Sequence, residues 1–216
     1  MPQPLIIFGA GGHAKMAIEV AYSAADFQPV LCMTTQTSGA PATLLGVAVA
    51  GETDAAIRNG LERSPWAFVA VGDNELRKQI TNKLIAVGYS LATLVAATAW
   101  LSPSARVGAG SILMPHAVVG ADAEIGQGVI VNTSATVDHD CRIDSFAHLA
   151  PGVHLAGNVQ VGHAAFVGVG ANVVPHKFIG AGAMVGAGAV VLSNVPAAET
   201  WGGCPARLLR PKIRAA

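Results

Sequence analysis

From Leu101 onward, a branched aliphatic side chain recurs at every sixth position, through Val107, Leu113, Val119 and their successors to Val185 and Val191. A second column lies four positions after each of these, beginning Ala105, Ser111, Ala117. Of its sixteen members only Lys177 is neither small nor β-branched. An α-helix repeats every 3.6 residues and a half-buried strand every two, so neither produces this spacing. A period of six with small residues at the corners predicts a parallel β-helix: three hexapeptides close a triangular coil of about 18 residues with the aliphatic column stacked inside. Sixteen hexapeptides then give about five coils, a prism of roughly 25 Å at the usual strand spacing. The period stops after Val195, and Pro196–Ala216, with Pro205, Arg207, Arg210 and Lys212, is expected to form an irregular tail.

Residues 1–95 carry a different pattern. Short apolar runs (Leu5–Phe8, Val30–Met33, Gly46–Val49, Ala67–Val71) alternate with helical stretches, the first ending near Ala24, then Asp54–Glu62 and Glu75–Val87. Strand, glycine turn and helix in repetition predict a small α/β domain with a parallel, Rossmann-like sheet. Two domains follow: residues 1–95, and a β-helix with its tail over 96–216, the stretch 92–100 leading in.

Composition narrows the function. The chain of 216 residues is 52% hydrophobic and 12% charged, with a formal net charge of zero. That balance argues against broad nucleic-acid or membrane-surface binding. No run approaches 18 apolar residues, and the start lacks a cationic, apolar leader, so no membrane span or signal peptide is read. Three scattered cysteines, Cys32, Cys141 and Cys204, suggest neither a disulfide framework nor a metal site, which fits a reducing cytoplasm.

Candidate chemistry begins at Gly9-x-Gly11-x-x-Ala14 after the first strand, where backbone N–H groups at a helix start attract phosphate. The dinucleotide fingerprint also wants an acid near the end of the second strand, and Met33-Thr34-Thr35-Gln36 offers none. A nucleotide or nucleotide sugar is therefore expected here rather than NAD, with His13 and Lys15 near the phosphates; a purely structural turn is the plainer alternative. Of the seven histidines, His139 stands apart: it follows the aliphatic Val137 by two, so it points outward at a corner. Asp138 and Asp140 flank it, and Ala121 and Gly157, both small, lie one coil away on either side. A carboxylate can fix the imidazole tautomer and stabilise its protonated form.

Gly-Gly-His-Ala-Lys at 11–15, Gly72-Asp73-Asn74-x-x-Arg77, and Asn132-Thr133 followed by Val137-Asp138-His139-Asp140-Cys141 together resemble the bacterial sugar acetyltransferases of the NeuD/PglD type. The resemblance spans nearly the whole chain. It implies a left-handed β-helix, a homotrimer with sites between subunits, and acetyl-CoA as co-substrate without metal. It also implies His139 as general base and Asp140 as its acid, where related members carry Glu. His148 falls near the acetyl donor; Gly157, one coil from His139, is expected on its own spacing to offer a backbone N–H to the oxyanion. Gly168, Gly186 and Gly188 follow the pantetheine arm, with Pro205 at the tail. Gly11, His13, Asn74 and Arg77 line the nucleotide-sugar pocket, and the glycine turn itself places Lys15 beside them. The function implied is N-acetylation of a nucleotide-linked amino sugar for bacterial surface glycans or glycoproteins. Two alternatives stay open: sugar O-acetylation, and a non-catalytic sugar-nucleotide scaffold.

Overall fold

A computed structural model describes residues 1–36 and 38–209. Arg210 and Lys212 of the tail lie outside them.

The amino-terminal domain runs β1 (Gln3–Phe8), α1 (Gly12–Ala24), β2 (Phe27–Thr34), β3 (Thr43–Leu44), β4 (Val47–Gly51), α2 (Asp54–Arg63), β5 (Trp66–Val69), α3 (Asn74–Val87) and β6 (Ser90–Leu91). Its sheet has the order β3-β4-β2-β1-β5-β6, parallel except for the β3–β4 hairpin. The chain steps outward from β1 through β2 to β4, then returns to the other side of β1 with β5. That reversal opens a crevice at the carboxyl ends of the strands, where ligands of such sheets bind. β1 is nearly all apolar because both of its faces are covered: Leu5, Ile6, Ile7 and Phe8 are fully buried. Thr53 and Asp73 cap α2 and α3, each side chain accepting a backbone N–H three residues on. The short strands β3 and β6 were not legible from pattern, being only two residues long.

Beyond β6 the chain winds as a left-handed parallel β-helix of two-residue strands. Its period starts one step before Leu101: Leu94–Val95 already pairs in parallel with Ile112–Leu113. Three faces result. The first carries Leu94, Ile112, Ile130, His148, Phe166 and Met184 pointing outward; the second carries Trp100, Val118, Thr136, His154, Asn172 and Val190; the third carries Arg106, Glu124, Arg142, Gln160 and Phe178. The aliphatic column and the small corner residues fill the interior as one continuous core. The tail is more regular than its sequence suggests. Thr200–Gly202 adds to the first face, with Trp201 opposite Val185, and Arg207–Leu208 folds back antiparallel on it. The repeat hides this strand because Trp201 follows Val185 by sixteen residues where a full coil takes eighteen.

The two domains share a core. Ile7, Ala14 and Ile18 pack in one buried cluster with Leu94, Ile112, Met114 and Ile130 of the first face. Arg77 fastens this joint. It is 1% exposed. Nε donates to Gly128 O at 2.8 Å, and Nη2 to Phe146 O at 2.7 Å, both on the edge between the third and first faces. Nη1 donates to Val71 O and Gly72 O at 3.0 and 3.2 Å. Asn74 accepts from Nη2 at 2.8 Å and donates to Ala164 O at 3.0 Å.

Candidate active site

His139 and Asp140 occupy the turn between Thr136–Val137 and Arg142–Ile143, on the edge where the second and third faces meet. Asp140 takes φ = 59°, the left-handed conformation that Asp tolerates better than most residues. This turn brings Asp140 Oδ2 to 2.7 Å from His139 Nδ1. A carboxylate only accepts, so Nδ1 carries the proton and Nε2 is left with its lone pair. Asp138 turns away and caps the His139 amide instead, accepting it at 2.7 Å. The Asp140 hydrogen bond, and then the Asp138 charge, hold the imidazole above its ordinary value of 6.5. Gly157 lies against the ring: a β-carbon there would sit 2.5 Å from Cε1 and Nε2. Only glycine permits this position of the imidazole.

His148 is set differently. It projects from the first face into the domain joint, 7% exposed. Nδ1 donates to Gly72 O at 3.4 Å and Nε2 lies 3.2 Å from Asn132 Nδ2. The rings of Phe166 and His13 meet it edge-on, with centroids 5.1 and 5.6 Å away. Burial, then the charges of Arg77 and His13, lower His148 to about 4. His13 is lowered by burial and by Arg77.

A cavity of about 570 Å³ lies at the carboxyl ends of β1, β2, β4 and β5. Gly9 to His13 form one wall, Met33 to Gln36 and Ser38 to Pro41 another, and Gly72 and Glu52 close it. Two kinds of glycine meet here. Gly9 has φ = 128°, and a β-carbon would sit 2.7 Å from Ala70 O, so the fold itself demands it. Gly11 and Gly12 face open space with nothing within 4 Å of a β-carbon. Nothing among the described residues requires them bare; a ligand lying on the amino end of α1, whose cap Gly11 has no side-chain hydrogen bond, would.

Among the residues expected at this pocket, Gly11 and His13 line it. Lys15 is exposed on α1 and does not line the cavity. Arg77 is a correction: its three guanidinium nitrogens are engaged at the domain joint, which leaves no donor for a ligand. Asn74 lies in that same joint, away from the cavity. The positions expected along acetyl-CoA fall on two edges of the prism. Gly157 shares the edge of His139, whereas Gly168, Gly186 and Gly188 lie on the edge between the first and second faces. Pro205 sits in the turn before Arg207–Leu208. One protomer does not bring these sets together.

Residues 4–84 match the family model described as the PglD N-terminal domain. PerB from Caulobacter crescentus, solved with CoA and GDP-perosamine, is 39% identical over 96% of this chain and 97% of its own, with a TM-score of 0.90. The acetyltransferase domain of PglB from Neisseria gonorrhoeae, solved with acetyl coenzyme A, is 39% identical over 97% of this chain and all of its own, with a TM-score of 0.89. WeeI from Acinetobacter baumannii is 26% identical, with a TM-score of 0.83. This chain belongs to the PglD-type sugar acetyltransferases. The α/β domain that carries the family match is fixed to a β-helix. The dinucleotide fingerprint looks for an acid only at the end of the second strand and so does not reveal Glu52, which in this PglD-type chain delivers a carboxylate to the cavity from just past the end of β4. No helix among the described residues is long and apolar enough to cross a membrane, and no three His, Cys, Asp or Glu side chains among them group to hold a metal.

Proposed function

We propose that the protein transfers the acetyl group of acetyl-CoA to the amine of a nucleotide-linked sugar, with His139 as general base, in a site assembled between copies of a homotrimer. The observation that carries this reading is the exposed His139–Asp140 pair, 2.7 Å apart, with its Nε2 open to solvent over Gly157. As the sugar nitrogen attacks the thioester carbonyl, a C–N bond forms and Nε2 takes the amine proton. The carbon–sulfur bond then breaks and CoA leaves as the thiol, protonated by the imidazolium. Asp140 stabilises the charge that His139 gains. Backbone N–H groups on this edge, Gly157 among them, stabilise the oxyanion.

Topology supports a shared site. The first face carries the nucleotide-binding domain, and His139 sits on the one edge that does not border that face. The sugar therefore reaches His139 from a neighbouring copy. Gly168, Gly186 and Gly188 of one subunit likewise meet Gly157 of another only across an interface. Trp100 and Phe178, exposed on the second and third faces, fit burial there.

Free-thiol release from acetyl-CoA, measured with UDP-, GDP- and dTDP-amino sugars and with sialic acid, tests the reaction. Release with one nucleotide amino sugar is expected; release with sialic acid alone would replace N- by O-acetylation. A monomer by light scattering at micromolar concentration would overturn the shared site.

A further inference from the structure

Glu52 holds its carboxylate largely withdrawn from solvent, without a close partner among the described residues. Its side chain is 8% exposed, and its nearest cation, Lys83 Nζ, stands 3.9 Å away. Lys83 lies closer to Asp54, at 2.9 Å. A charge so withdrawn from water is costly unless donors reach it. Burial lifts its carboxyl above the ordinary range and Lys83 only partly opposes this.

Its position tells which donors. Glu52 N donates to Thr34 O at 2.8 Å, so its backbone sits beside the end of β2, and its side chain lines the nucleotide cavity. Phosphates belong at the amino end of α1, directly after β1. In the order β4-β2-β1, β4 is two strands away, about 10 Å at the usual spacing. A nucleoside laid from α1 across the strand ends puts its ribose over Thr34 and Thr35 and its base at Glu52.

Resting on the reading of this cavity as the sugar-nucleotide site, we propose that Glu52 reads the base and selects guanine, so that the substrate is a GDP-linked amino sugar. A carboxylate only accepts, and it accepts two parallel bonds. Guanine presents two adjacent donors, N1–H and the 2-amino group. Uracil and thymine present one N–H between two carbonyl oxygens, which a carboxylate repels. Adenine presents an acceptor beside its amino group.

Calorimetry on the full chain with GDP, IDP and UDP tests this without turnover. IDP lacks only the 2-amino group. Wild type should bind GDP at least tenfold more tightly than IDP or UDP, since a hydrogen bond to a charged group is commonly worth that factor. Glu52→Gln, checked for an unchanged melting profile, should lose at least tenfold for GDP, little for UDP, and the preference over IDP. Glu52→Asp should fall between. Equal loss for GDP and UDP in Glu52→Gln, no loss at all, or equal wild-type affinity for GDP and IDP would overturn the assignment while leaving the cavity a nucleotide site. Binding of none of the three to wild type would overturn the nucleotide reading itself.

Discussion

The outer edge of the β-helix and the joint beneath its first face each hold a histidine, His139 and His148, nine positions apart. Both donate through Nδ1. At the edge the acceptor is a carboxylate, water reaches the ring, and the imidazole is held above 6.5 with Nε2 open. At the joint the acceptor is the Gly72 carbonyl, Asn132 faces Nε2, and burial among positive neighbours brings the ring to about 4. An imidazole without a carboxylate is held neutral by its burial; the same group beside a carboxylate holds a proton more readily than a free imidazole. The difference lies in the surroundings, which the turn and the face dictate.

The comparison breaks most visibly at the edge. His139→Ala should lower kcat by about 10²–10⁴-fold, the usual worth of a general base, with KM for acetyl-CoA within about threefold of wild type. Steady-state thiol release measures both, and turnover within threefold of wild type would remove His139 from the chemistry.

Next in size is the joint. Arg77→Ala leaves buried carbonyls without donors and should cost about 2–4 kcal/mol in denaturant unfolding. Arg77→Lys should recover only part, because an ammonium cannot replace the planar fork.

His148 should make the protein acid-sensitive. Its pKa is lower folded than unfolded, so between about 6.5 and about 4 the unfolded chain binds more protons and stability falls as pH falls. The loss should reach about 2–3 kcal/mol. Melting curves at pH 7.5 and 5 should diverge in wild type and lie closer together in His148→Gln, with His13 supplying part of the remaining gap.

The smallest effect separates the two carboxylates. Asp140→Asn should reduce kcat by about tenfold and move the acid limb of the pH–rate profile down toward 6.5, since the larger support for the protonated ring is gone. Asp138→Asn should change kcat by less than about threefold. A reversed order would make Asp138 the working partner.

Neighbouring residues in sequence were the readable ones. The His139–Asp140 contact needs only a turn, and the six-residue period is legible because each coil must repeat the last to stack. Arg77 was misread because its acceptors at Gly128 and Phe146 are backbone carbonyls 51 and 69 positions away, a group that every residue owns. Glu52 escaped notice because strand order, not chain order, places β4 beside β2. His148 showed its position on a face but not its burial, since the covering domain comes from the other end of the chain.

The threefold coil also makes length a quantised variable. Six residues turn the chain by one face, and eighteen return it to the same face one rung on, about 4.8 Å higher. An insertion of six between Asn132 and Asp138 would carry His139 to another edge and take His148 out from under the other domain. An insertion of eighteen would keep both bearings and lengthen the gap by a single graduation. The solenoid is a ruler marked in rungs, and the distance from the cavity to His139 can be reset only by whole marks.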